Sequence, residues 1–285
     1  MTVRSIAQEV QLEPAGDSRW ARAIGEGWVN SGDRVFGGYS AALALAAAVE
    51  GSPHDALASG TVMFLEAILP GRIEFEVTTL RRGRSVACMS VIGVQHGRPA
   101  ITAQAWTRRA APMATPSGGV VAPEGVGVSL EWLDSVFPFH QYLESRALRY
   151  PASLSEFETG APWSVELWAR PRGSLPVEPL HDQLFDVILA DAHLGDIGVA
   201  SVEDLDLLIS LDLQVQWATA PCVPGWRHIV VAEAPAESRM FPSVARISDT
   251  AGTLSAVVTQ QVYLASRPGP GATPERFAGA RSSHA

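Results

Sequence analysis

Two stretches of this chain alternate in step with a pleated sheet, and each follows a helical stretch rich in apolar residues. In the first, Ile73, Phe75 and Val77 point one way while Glu74, Glu76 and Thr78 point the other, the period-two pattern of a half-buried strand. Arg82-Gly83 turns the chain into a second strand over 85–95, and His96-Gly97 into a third over 100–109. Turns this short join antiparallel neighbours. Upstream, Phe36-Gly37-Gly38 opens a helix predicted over 39–50, dominated by Ala41, Ala42, Ala44, Ala46, Ala47 and Ala48. Alanine favours helix without loss of side-chain entropy, and so slim and apolar a helix can lie deep against a curving sheet.

The same order of elements returns near the end. An apolar helix is predicted over 181–194 and a run of strands from 207 to 265, with Asp249-Thr250-Ala251-Gly252 as the counterpart of the His96-Gly97 turn. Setting Gly38 against Asp191 brings Phe64 opposite Trp217, and the strand ending in Gln104 opposite the one ending in Gln261. The expected organisation is an α+β fold of two similar units, 1–111 and 136–267. A Pro- and Gly-rich connection, 112–135, lies between them, strand character recovers near 137–148 and 164–169, and a mobile tail follows at 268–285.

Composition narrows the functions. The 285 residues are 47% hydrophobic and 18% charged, which describes a globular protein rather than a disordered one. A net charge of −9, with no basic cluster beyond Arg81-Arg82-Gly83-Arg84, argues against a nucleic-acid partner. Cys88 and Cys222 have no metal or redox spacing and read as reduced thiols. The start of the chain lacks an apolar signal core and no apolar run reaches membrane-spanning length, so no membrane partner is expected and the location reads as cytoplasmic.

A helix gripped by an antiparallel sheet, made twice, is the pattern of a tandem, or double, hotdog. The segment from Phe36-Gly37-Gly38-Tyr39 to Leu45, followed by Thr79-Leu80-Arg81-Arg82-Gly83-Arg84-Ser85, resembles the first half of acyl-CoA thioesterase II-like proteins. Leu211 to Trp217 and Thr259-Gln260-Gln261-Val262-Tyr263-Leu264 resemble the second half, and the likeness covers roughly residues 20 to 266. The resemblance implies hydrolysis of acyl-CoA by a water held among an Asp on the second helix, a hydroxyl on the next strand and a Gln on the last strand. Carried across, these are Asp191, Ser210 (where the family more often has Thr) and Gln261. Gln260 points to the opposite face, so the register of that strand decides which amide meets the helix.

The residues suit the chemistry. Asp191 interrupts the largely apolar helical run Leu184–Ala190, where an unpartnered carboxylate would be costly; it serves either as a base for water or as an anchor for loop backbone. Thiolate leaves readily, so no metal, cofactor or covalent nucleophile is required. Asp182 and Asp186 read as first-turn carboxylates favoured by the helix dipole, and His193 as a rim or packing residue. The absence of GxSxG removes the serine-hydrolase reading. Two rivals stay open: an enoyl-thioester hydratase or dehydratase, which would want a histidine on the helix, and a degenerate hotdog that binds acyl thioesters without turnover. Association into a homo-oligomer through exposed sheet edges also stays open.

Overall fold

The computed structural model describes residues 5–30, 33–112, 125–153, 155–156, 165–173, 178–196, 205–218, 222–233 and 239–266. In its first half, helix α1 (Ile6–Val10) and a hairpin of β1 (Glu13–Gly16) and β2 (Arg19–Ile24) precede the buried helix α2 (Gly37–Glu50). Strands β3 (Ala56–Phe64), β4 (Gly71–Arg82), β5 (Val86–Gln95) and β6 (Arg98–Arg108) follow. The second half holds β7 (Val128–Ser129), α3 (Trp132–Val136), β8 (Leu143–Arg149), β9 (Val165–Pro171) and the second buried helix, α4 (Pro179–His193). It ends with β10 (Leu205–Ser210), β11 (Asp212–Trp217), β12 (Arg227–Glu233), β13 (Met240–Asp249) and β14 (Leu254–Ser266).

Among the described residues all fourteen strands belong to one antiparallel sheet, ordered β1-β2-β4-β5-β6-β3-β11-β14-β13-β12-β9-β8-β7. β10 pairs with β14 just before β11 does, the two pieces being separated by Leu211. The halves join where β3 pairs with β11, Thr61 opposite Gln214. This is the α+β double hotdog that the repeat implied.

The two buried helices lie side by side and antiparallel: Gly37 and Gly38 at the start of α2 approach Asp191 near the end of α4, and Glu50 at the far end of α2 shares a cleft with Leu180 and His181. α2 is buried nearly all round, which its alanines permit by keeping the helix thin. Leu45 fits so closely under β3 that a Cβ on Gly60 would come within 2.6 Å of its Cδ2. Each fully buried Leu of this kind contributes roughly 1.5–3 kcal/mol to the core.

Several expectations change. Pro138 lacks a backbone N–H, and the start of the strand expected over 137–148 is a 3-10 turn, Pro138–Tyr142, before β8 begins. The C-terminal part of the connecting segment 112–135 holds β7, paired with β8, and most of α3. The expected tail, 268–285, lies outside the described residues. The repeat register holds for the strands but not for the helices. Phe64 and Trp217 each lie three residues beyond the Thr61–Gln214 pair, whereas Gly38 is in the first turn of α2 and Asp191 in the last turn of α4. The segment between helix and strand is longer in the second half, which displaces one helix against the other in any alignment without gaps.

Candidate active site

Four elements converge at the C-terminal end of α4. Asp191 sits in its last turn, half-buried, and its Oδ1 accepts a hydrogen bond from Ser210 Oγ at 3.2 Å and another from Gln260 Nε2. Ser210 arrives on β10, which pairs with β14 at Val262 and so stands beside Gln260. The backbone N–H of Gly38, at the start of α2, also donates to the Asp191 carboxylate. A carboxylate there meets the positive end of the α2 dipole and its unpaired first-turn N–H groups.

Close approach explains the two glycines. A Cβ on Gly37 would lie 2.8 Å from Asp191 Oδ2, and one on Gly38 would lie 2.7 Å from the Phe36 ring and 3.0 Å from Asp191 Cβ. Phe36 is itself pinned, stacked on Phe139 at 3.8 Å between centroids.

The amide at Asp191 comes from Gln260, not from Gln261 as the sequence suggested. Successive strand side chains face opposite sides. Gln260 is therefore buried with Val258 and Val262, while Gln261 turns outward with Thr259. Gln261 contributes only backbone here: its N–H donates to Asp212 Oδ1 at 2.9 Å and its carbonyl accepts from Leu211 N at 2.9 Å. The expected match with Gln104 also shifts, because Gln104 pairs with Thr61 while Gln214, the partner of Thr61, pairs with Thr259. Inward burial beside Val258 and Val262 was the signal that would have selected Gln260.

Burial pushes the Asp191 carboxyl up to about 6, against the pull of Gln260, Ser210 and the Gly38 N–H; the nearby Asp196 carboxylate adds to the rise. Gln260 Oε1, carried by the same amide group, is buried and has no partner among the described residues. An ionisable carboxyl, a hydroxyl and an unsatisfied amide oxygen together form a set that can hold and deprotonate a water.

The other polar residues of α4 take structural roles. Arg227, fully buried, donates Nε to Asp186 Oδ1 at 3.0 Å, Nη2 to Asp182, and Nη1 to the Val223 carbonyl at 2.7 Å. Asp186 also accepts from Ser255 Oγ at 2.5 Å. Burial raises both carboxyls against the pull of Arg227, so these are a guanidinium's internal partners and not simply dipole-favoured first-turn acids. His193 is fully buried, with Nδ1 3.1 Å from Asp196 Oδ2, and Tyr150 Oη donates to the same oxygen at 2.8 Å. It packs, and Asp196, which the sequence did not single out, anchors it.

Among the described residues no three His, Cys, Asp or Glu side chains gather to hold a metal, and no helix is long and apolar enough to cross a membrane. Cys88 and Cys222 form no disulfide. A cleft of ≈ 280 Å³ lies at the opposite end of α4, between α1, Glu50, His181 and Leu184. It lacks a set of converging groups like that at Asp191, so the chemistry favours Asp191 as the site.

Comparison with known proteins bears on the fold and the activity. A family model described as the acyl-CoA thioesterase N-terminal domain matches residues 25–108, and one described as the acyl-CoA thioesterase C-terminal domain matches residues 110–264. No curated protein sequence is matched. Among solved structures, a hot dog fold protein from Alicyclobacillus acidocaldarius is similar at a TM-score of 0.76 and 18% identity, over 94% of this chain and 100% of that one. The tesB protein of Mycobacterium avium subs paratuberculosis is similar at 0.73 and 19%, over 91% and 98%. Acyl-CoA thioesterase II TesB2 from Mycobacterium marinum is similar at 0.68 and 20%, over 93% and 100%. These likenesses speak for the fold, and the two family models, which together span both halves, speak for the activity. The chain belongs to the acyl-CoA thioesterase family and is a thioester hydrolase built as a double hotdog.

Proposed function

We propose that the chain hydrolyses acyl-CoA by direct attack of a water held against Asp191 by Ser210 and Gln260. The observation that carries this reading is the convergence of the Ser210 hydroxyl and the Gln260 amide on one Asp191 oxygen, opposite the start of α2. As the water oxygen bonds to the thioester carbonyl carbon, Asp191 takes its proton. First-turn N–H groups of α2 receive the developing oxyanion. Collapse breaks the C–S bond, and the departing thiolate leaves as CoA thiol once protonated. The products are the free acid and CoA.

The substrate fits best as a fatty or otherwise apolar acyl chain with its anionic CoA end toward solvent. Two cysteines outside any disulfide are compatible with work in the reducing cytoplasm. A hydratase would need a histidine facing substrate, and His193 is sealed within the packing.

Thiol release from short, medium and long acyl-CoAs, measured for wild type, Gln260→Ala and Gln261→Ala, tests the reading. Loss of a group that positions water or charge costs on the order of 10²-fold in kcat. That loss is expected for Gln260→Ala, with Gln261→Ala near wild type. The reverse order would sink the assignment.

A further inference from the structure

We propose that Asp196 is a positioning residue for the hydrolysis: hooked by Tyr150 and His193, it holds a second negative charge close to Asp191 and sets the pH at which the site turns on. The inference rests on Asp191 as the base.

A tight reversal brings Asp196 there. α4 ends at His193, Leu194 caps it, and Gly195 takes a φ of 104, in the left-handed region that favours glycine. A Cβ on Gly195 would come within 2.8 Å of Leu208 Cδ1 and 3.5 Å of Val262 Cγ2. Leu208 and Val262 stand two residues from Ser210 and Gln260 on the same two strands, a step of ~7 Å. The chain therefore returns beside the site after the helix ends.

Two hydrogen bonds then fix the carboxylate. Tyr150 Oη donates to Asp196 Oδ2 at 2.8 Å, and His193 Nδ1 lies 3.1 Å from the same oxygen. A carboxylate oxygen only accepts, so Nδ1 carries the proton of that bond. The Asp196 side chain is 18% exposed, so solvent screens its charge poorly. Tyr150 and His140 stay neutral behind it. Burial and the Asp196 charge raise the Tyr150 hydroxyl well above its ordinary value, and burial, with His193 and Arg172, lowers His140. Arg172 is itself paired with Asp134 at 2.6 Å.

The elements around Asp191 bring no cation to offset this charge. No lysine or arginine stands on α2, β3, β10, β11, β14 or α4. Glu50 is at the far end of α2 and Asp206 at the far end of β10 from Ser210. Asp212 and Tyr263 alternate with buried neighbours and face outward. The like charge of Asp196 accordingly adds to the rise that burial gives the Asp191 carboxyl.

Rates of thiol release at saturating acyl-CoA, from about pH 4.5 to about pH 8, test this with Asp196→Asn and Asp196→Glu. Asn keeps an oxygen that accepts from Tyr150 and His193 but removes the charge, whereas Glu keeps the charge. The acid limb of kcat, expected at about 6 in the wild type, should move to lower pH in Asp196→Asn. The rate at about pH 5, relative to the plateau, should then rise about two- to fivefold, with KM little changed. Asp196→Glu should keep the limb near its wild-type position. Should Asp196→Asn not fold, Asp196→Ser also removes the charge and is expected to shift the limb the same way. A limb that stays in place in a folded, uncharged variant would overturn the inference and leave Asp191 as the base. A limb that moves equally in Asp196→Glu would also overturn it, because charge would not be the cause. A wild type without an acid limb would overturn both this inference and the assignment of Asp191.

Discussion

Replacing Asp191 with Asn should slow turnover by about 10²–10⁴-fold yet make the protein relatively more stable as pH rises. Burial holds the Asp191 carboxyl at about 6, against an ordinary value of 3.8. Between those values the folded chain keeps a proton that the unfolded chain has released. Stability is therefore greatest below the unfolded pKa and is lost as pH rises through about 6. At 1.36 kcal/mol per pKa unit the loss is about 3 kcal/mol, an upper figure for a half-buried site. Asn has no proton to lose. Its carbonyl still accepts from Ser210 and Gln260, but its amide sets a donor against the Gly38 N–H, a cost of about 1–3 kcal/mol that does not vary with pH. The change in the difference between variant and wild type therefore isolates the ionisation. Urea unfolding followed by fluorescence of the eight tryptophans supplies it. From about pH 4 to about pH 8 the variant should gain roughly 2–3 kcal/mol relative to wild type. A constant difference, or one that moves the other way, would refute the claim that Asp191 is a desolvated carboxyl with a raised pKa.

Arg227→Met leaves Asp182 and Asp186 buried without their cation and should destabilise the fold by about 3–5 kcal/mol, read as a lowered urea midpoint. Gly38→Ala sets a methyl group against the pinned Phe36 ring. The cost of about 1–3 kcal/mol should exceed the roughly 1 kcal/mol of helix propensity it gains, so thermal unfolding should occur at a lower temperature.

Much of the fold was legible because local patterns carried it. The period-two alternation of 73–78, the turn at His96-Gly97 and the alanines of α2 each predicted the element that formed. His96 and Gly97 take φ of 52 and 76, the left-handed pair that a tight hairpin demands. What failed depended on contacts distant in sequence. Nothing local says that Arg227 will insert between Asp182 and Asp186, so those acids read as helix-start residues. The site shows the same division. Asp191 stood out as a carboxylate at the end of an apolar helix run. The choice between Gln260 and Gln261 depended on strand register, and the comparison with Gln104 misled because Gln104 faces outward opposite Thr61. Gly38 was set against Asp191 as an equivalent, when antiparallel packing of the helices makes it a hydrogen-bonding neighbour.

The central claim is that a water activated at Asp191 cleaves the thioester. The most direct test is steady-state thiol release by wild type and Asp191→Asn on the best acyl-CoA, with rates taken from about pH 5 to about pH 8. The wild-type rate is expected to rise with pH through about 6, where the Asp191 carboxyl ionises, and the folded variant to be slower by about 10²–10⁴-fold. A folded Asp191→Asn that turns over at the wild-type rate would contradict the claim.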